Sequence, residues 1–180
     1  AKGEDGYKGV LVCNDSGVIT VGTAGEAVGA DVSQMDYFKQ AIQGNTFASN
    51  MIPSEIPLTN ELGEKELGLP TMFVSTPLKD RDGVVIGVVA IRVDVNALND
   101  LMLSLNLGKT GETYLVNKDG FMLTESRFAA HLKEMGLVKK RCALSLKLVN
   151  SETGELNEGV KQCVAGNNGF DARGYRDYSG

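Results

Sequence analysis

The stretch Leu69–Asp94, LPTMFVSTPLKDRDGVVIGVVAIRVD, constrains the fold of this chain more than any other. An apolar, β-branched run reverses at Asp80-Arg81-Asp82-Gly83 and returns as VVIGVVAIRV, which predicts a hairpin. A strand with one wet face alternates apolar and polar residues. Val84–Ala90 does not alternate, so both of its faces are expected to be covered. Leu98, Leu101, Met102 and Leu105 follow at i, i+3, i+4 and i+7, the stripe of an amphipathic helix, and this helix is the first candidate cover.

The flanking segments supply smaller units. YKGVLVCND and VITVG lie either side of Ser16-Gly17 and predict a second hairpin. Ser33, three residues before Asp36, opens SQMDYFKQAIQG, where Met35, Phe38 and Ile42 share a helical face and Gly44 supplies the stop. Residues 45–68 contain Pro53 and Pro57 and hold no period over a useful length, so they read as a functional loop or lid. YLVN and FMLT flank Lys118-Asp119-Gly120 as a further strand, turn and strand, in the same order as Val10–Val21, which points to one module occurring twice. A helix is expected near Phe128–Glu134. The second half lacks a counterpart of the long central hairpin, so its module reads as incomplete.

Composition and motifs exclude several function classes. A net charge of −5 and a longest basic run of only Lys139-Lys140-Arg141 give no stripe for phosphate, so nucleic acid is not an expected partner. No stretch approaches the ~18 consecutive apolar residues of a membrane span, and the first residues do not form a signal peptide; the chain is expected to be a fragment of an anchored protein. Gly108-Lys109-Thr110 has Leu103 where a phosphate loop needs glycine, and Lys109-Thr110-Gly111 has no Ser-x-x-Lys to accompany it. The acidic turns at Asp80 and Asn117 have Leu78 and Leu115 at the first calcium-ligand position, and His131 is the chain's single histidine. No catalytic residue, metal or cofactor is therefore expected. Three cysteines are too few for a disulfide scaffold. Cys142 and Cys163 either close a loop worth about 3 kcal/mol in an oxidising compartment or remain thiols in a small core, and Cys13 reads as a buried small hydrophobe in a strand.

NDSGVI, DYFKQAIQG, STPLKDRDGVVIGVVAIRVDVNAL, LNLGKTGETYLVNKDGFMLTESR and GYRDYSG, in that order, resemble the extracytoplasmic double Cache sensor domain of bacterial and archaeal transmembrane receptors. The resemblance covers most of residues 7–126 and the last ten or so. It implies an α+β fold of PAS-like antiparallel sheets with flanking helices, as two modules in tandem. Residues 1–106 would be the membrane-distal, ligand-binding module and 107–180 a partial membrane-proximal one. The family's long first helix, which packs on the distal sheet, is absent here; it is expected ahead of Ala1 in the parent protein, as the second cover and as a route to a homodimer. The implied function is periplasmic or extracellular sensing of a small molecule by a membrane-anchored receptor, taken first as a histidine kinase. The alternatives are a chemoreceptor, a cyclic-dinucleotide enzyme, or a hydrolase-like enzyme on the same scaffold.

The resemblance also implies a pocket between the distal sheet and the parts preceding the central hairpin. Tyr37 and Phe38 match the family's aromatic pair. Thr71, Phe73 and Ser75 alternate onto one face of the hairpin, and Arg92 and Asp94 share a face on its partner strand. Asp94 matches the aspartate that amino-acid-binding members offer to a ligand ammonium, whereas Met35 stands where those members keep an arginine for the carboxylate. A different small organic acid or amine is expected as ligand, with Arg92 as the carboxylate partner because its planar fork binds two oxygens at once.

Overall fold

Strand β1 (Tyr7–Asn14) turns into β2 (Ile19–Gly22), and helix α1 (Asp36–Ile42) follows. The two-residue strands β3 (Phe47–Ala48), β4 (Ile52–Pro53), β5 (Leu58–Thr59) and β6 (Lys65–Glu66) come next. Then come β7 (Pro70–Thr71), β8 (Phe73–Lys79), β9 (Val85–Val93) and the helices α2 (Asn96–Ser104), α3 (Ala129–Glu134) and α4 (Glu158–Val164). This computed structural model describes residues 6–23, 27–60, 62–105, 107–109, 111–172, 174 and 178. The chain forms two compact units, Ala1–Ala97 and Leu98–Gly180, a break that falls ahead of the 106/107 boundary expected from the sequence.

In the first unit an antiparallel five-stranded sheet runs in the order β2-β1-β9-β8-β3. The central hairpin is β8 and β9, as predicted, and β9 lies between β1 and β8. Register sorts the side chains. Phe73 opposes Arg92 and Ser75 opposes Ala90 on one flank, while Gly9, Leu11 and Cys13 oppose Arg92, Ala90 and Val88 on the other. These residues share the inner face, because alternate residues of a strand point the same way. Helix α1 packs on that face through Tyr37, Phe38 and Ala41, which cluster with Cys13, Phe73, Val88 and Ala90. Each large side chain buried there contributes about 1.5–3 kcal/mol.

Two expectations about covers change. The inner cover is α1. Helix α2 has no buried residue, and Leu101 and Leu105 of its predicted stripe are 54% and 45% exposed. On the outer face Val74, Leu78, Ile91 and Val21 are exposed while Val85 and Val89 are half-buried, so among the described residues that face of β9 is only partly covered. The start of α1 also differs, since Met35, and not Ser33, is its N-cap and no side chain caps it. Ser33 instead donates its backbone N–H to Asp31 Oδ1 at 2.8 Å, a bond that lowers the Asp31 pKa.

Residues 45–68 are not a structureless loop. They hold four strands, of which β3 extends the main sheet, β4 pairs with β7, and β5 pairs with β6. One turn serves this segment and three others. At Asn14, Asn60, Asp80 and Asn117 the side-chain Oδ1 accepts the N–H groups two and four residues ahead, at 2.8–3.1 Å. Three residues beyond each stands a glycine, Gly17, Gly63, Gly83 or Gly120, with φ of 81° to 88°. The short polar side chain satisfies the turn's donors and glycine takes the left-handed position that other residues resist. The DxDG and NxDG sequences are therefore reversals.

The second unit has its own core of Met122, Leu132, Val138, Cys142, Leu146, Leu148, Val160 and Tyr178. The predicted pairing of YLVN with FMLT is present as a bridge between Val116 and Met122, with Leu123 N donating to Leu115 O at 2.8 Å and Asn117 N to Phe121 O at 3.0 Å, and the backbone of Gly120 and Met122 also bonds to Leu144, Leu146 and Leu148. Helix α3 lies where the sequence placed it. Helix α4 was not anticipated; buried Asn157 caps it by accepting from Val160 N at 2.9 Å. All three cysteines are free thiols, which corrects the Cys142–Cys163 bridge. Cys142 belongs to the core and burial raises its thiol pKa, whereas Cys163 is exposed on α4, so burial of one sulfur and exposure of the other separate them.

Candidate functional site

The inner face of the first unit's sheet is hollow at one end. A cavity of about 150 Å³ is lined from the sheet by Gly9, Leu11, Gly22, Phe73 and Arg92, and around them by Lys8, Thr23, Ala27, Leu58 and Thr59. Its cause is legible in the register. Gly9 sits on the inner face opposite Arg92 and Gly22 opposes Leu11, so two positions that would carry side chains carry none. A Cβ at Gly9 would lie 2.9 Å from Thr23 Oγ1. Strand β5 supplies Leu58 and Thr59, so the segment read as a lid does reach the cavity, as an ordered strand.

Among the described residues, the charged side chains lining the cavity are Lys8 and Arg92, both cations. Arg92 shares the inner face with Val88 and Ala90, each fully buried, and is itself half-buried. The wall therefore carries two cationic side chains at a mostly apolar hollow, and the charge of Lys8 is already met by Asp94 at 3.0 Å.

The other predicted site residues have more varied placements. Phe73 lines the cavity, and Tyr37 stacks on it with ring centroids 4.4 Å apart and planes at 27°. Burial raises the Tyr37 phenol pKa well above its ordinary value. Phe38 is a core residue beneath α1. Ser75 Oγ donates to Tyr37 O at 2.7 Å and lies 3.4 Å from Phe47 O, so its hydroxyl fastens α1 and β3 to the sheet. Thr71 is 2% exposed and its Oγ1 has no hydrogen-bond partner. Asp94 is held by Lys8, with Nζ 3.0 Å from Oδ2, while its Oδ1 accepts from Asn96 N at 3.0 Å. The structure thus brings Phe73 and Arg92 to the cavity with Tyr37 behind Phe73, and it does not place Phe38, Thr71, Ser75 or Asp94 in the lining.

The sequence reading missed Lys8, Gly9, Leu11, Gly22, Leu58 and Thr59. For the glycines a signal existed, since glycine inside an otherwise β-branched strand marks a place where side-chain volume is withheld. Among the described residues no group of three or more His, Cys, Asp or Glu is placed to hold a metal, and no helix is long and apolar enough to cross a membrane.

A family profile described as Cache domain matches residues 2–175. No protein of curated function matches the chain. Among solved structures, an extracellular ligand binding receptor from Desulfohalobium retbaense aligns with a TM-score of 0.52 at 14% identity, over 72% of this chain and 24% of its own. The ligand binding domain of the Pseudomonas aeruginosa amino acid chemoreceptor PctC, in complex with GABA, aligns at 0.48 and 20% identity over 76% of this chain and 54% of its own. That of the Campylobacter jejuni chemoreceptor Tlp3, in complex with L-valine, aligns at 0.44 and 15% over 72% and 47%. The chain thus spans between 24% and 54% of the length of these structures. The first of them shares the fold, and with the family profile running from residue 2 to residue 175 this chain belongs to the Cache family, as a double Cache sensor domain.

Proposed function

We infer that this chain senses a small organic acid, bound in the cavity on the inner face of the first unit's sheet. The observation that carries the reading is the pairing of Lys8 and Arg92 on the wall of an otherwise mostly apolar hollow. Arg92 takes the carboxylate through two parallel N–H donors, and Phe73, Leu11 and Leu58 take the carbon skeleton. Size limits the ligand, because a cavity of ~150 Å³ accommodates a molecule about as large as benzene. An amine is disfavoured, since Asp94, the carboxylate expected to meet it, is already paired with Lys8. Binding shifts the balance between two conformations of the domain by the ligand's differential affinity for them.

On this reading the parent protein is a membrane-anchored receptor with the first unit distal to the membrane and outside the cytoplasm, its output a histidine kinase, and its homodimer contact a helix ahead of Ala1. The hydropathy of the full gene and cross-linking in membranes test those parts. A thermal-shift screen tests the ligand class. Acids of about six to ten non-hydrogen atoms are expected to raise Tm, because a ligand at a hundred times its Kd stabilises by about 2.7 kcal/mol. Stabilisation by amines alone would overturn the assignment.

A further inference from the structure

Asn168 is the one asparagine of the chain that is followed by glycine. Beyond α4 the chain runs through Asn167, Asn168, Gly169 and Phe170, all exposed and outside any helix or strand. Asn167 is tied back to the helix, because its N–H donates to Gln162 O at 3.0 Å and its Nδ2 to Gln162 Oε1 at 2.8 Å. Among the described residues Asn168 and Gly169 make no such bond, and a Cβ built on Gly169 meets nothing within 4 Å. Other asparagine side chains are put to use by the fold. Asn14, Asn60, Asn117 and Asn150 each hold a turn through Oδ1, and Asn157 caps α4. The glycine nitrogens of Asp82-Gly83 and Asp119-Gly120 are occupied as well, since they donate to Asp80 O and Asn117 O.

We propose that Asn168 is a site of self-modification: the Gly169 backbone nitrogen attacks the Asn168 side-chain amide, which is lost as ammonia and leaves an aspartyl or isoaspartyl residue. Hydroxide takes the Gly169 N–H proton as that nitrogen bonds to Asn168 Cγ. The Cγ–Nδ2 bond then breaks, Nδ2 leaves as ammonia with a proton returned from water, and a five-membered succinimide closes. Water adds to one of the two ring carbonyls. Cleavage of the new Cγ–N bond gives aspartate, and cleavage at the Asn168 backbone carbonyl gives isoaspartate, whose main chain runs through Cβ and Cγ. Nothing is oxidised or reduced, and the one co-reactant is solvent water. Glycine favours the attack because it has no Cβ to hinder its nitrogen. Ring closure also needs the Asn168 side chain and the next peptide to turn towards each other, which no described hydrogen bond opposes here. At the turn asparagines the same rotation breaks the bonds that Oδ1 accepts. Each conversion adds a carboxylate and moves the net charge one unit further negative from −5.

Ageing of the full chain in neutral and in mildly alkaline buffer, followed by peptide mapping with mass spectrometry, tests this. The peptide that holds Asn168 is expected to gain the mass of an amide-to-acid change, faster in the alkaline buffer because hydroxide frees the attacking nitrogen. Enzymatic methylation of isoaspartyl carboxylates is expected to label the same peptide. Asn168 is expected to convert about tenfold or more faster than Asn150, which precedes serine and has its Oδ1 engaged by Glu152 N and Thr153 N. Gly169→Ala places a methyl in open space at a residue outside the left-handed region, so it is expected to leave Tm unchanged and to slow conversion about tenfold. In urea the rate at Asn150 is expected to rise as its turn is lost, while that at Asn168 changes less than about threefold. Native Asn168 that converts no faster than Asn150 overturns the proposal. A larger rise at Asn168 on unfolding also overturns it, because the folded segment then protects the residue. Wild-type conversion in Gly169→Ala overturns the attack by the Gly169 nitrogen.

Discussion

Gly87 is the residue on which the sheet depends most sharply. A Cβ there would stand 2.3 Å from the carbonyl oxygen of Cys13, and backbone of a neighbouring strand cannot give way as a side-chain tip can. Gly87→Ala is expected to cost about 2–3 kcal/mol, read as a fall in the denaturation midpoint with an unchanged m-value. Gly9 has a different role, since its missing side chain makes room for ligand. Gly9→Ala places a methyl against Thr23 Oγ1, the end of a flexible side chain, so the fold should survive while affinity for the acid found by thermal shift falls severalfold. The cysteines also separate by environment. Burial pushes the Cys13 thiol up to about 11, and the thiolate is the reactive form, so in the native chain only exposed Cys163 is expected to react promptly with a thiol reagent. Three reactive thiols on unfolding without reductant would agree with the free cysteines; a single one would restore the bridge between Cys142 and Cys163.

Among elements, what was legible depended on whether the signal was local. The central hairpin, the β1–β2 hairpin, α1 and α3 all carry their own period and punctuation, and the Asn- or Asp-x-x-Gly turn is visible wherever it occurs. Asn60-x-x-Gly63 is the same signal, yet it lay inside a segment judged by periodicity, and strands of two residues have no period to detect. The choice between α1 and α2 as inner cover was equally hidden. Both have apolar stripes, and only tertiary packing decides which meets the sheet. In the second unit Met122 pairs with Leu144 and Leu146, a partner some two dozen residues away that no local pattern announces. The same blindness affected the site: alternation placed Phe73 and Arg92 on the inner face correctly, but could not say that the Ser75 hydroxyl would be used to hold α1. Ser75→Ala leaves the buried carbonyl of Tyr37 without its donor and is expected to cost about 1–3 kcal/mol of stability. Asn157→Ala, which removes the α4 cap, should cost about 1 kcal/mol. Denaturation curves of the two variants check both values.

At the scale of the whole molecule, several buried acids whose neutral forms are favoured by the fold make it sensitive to alkali. Cys13 moves from an ordinary thiol value of 9.0 to about 11, and the pKa values of Cys142, Tyr37 and Tyr178 are also raised, in each case first by burial. A group whose folded pKa lies above its unfolded one holds its proton longer in the folded state. Its stabilisation is complete below the unfolded value and is lost as pH rises through the folded value. Stability is therefore expected to be level up to about pH 9 and to fall between about 9 and 11, with Cys13→Ala flattening the first part of the decline. A Tm profile against pH measures this.

The claim that the molecule is an acid sensor depends on Arg92 meeting the ligand. Calorimetric titration of wild type and Arg92→Ala with the acid that raises Tm most is the direct test. The account predicts saturable binding to wild type and a loss of about tenfold or more in Arg92→Ala at unchanged fold. Equal affinity in the two proteins would contradict it.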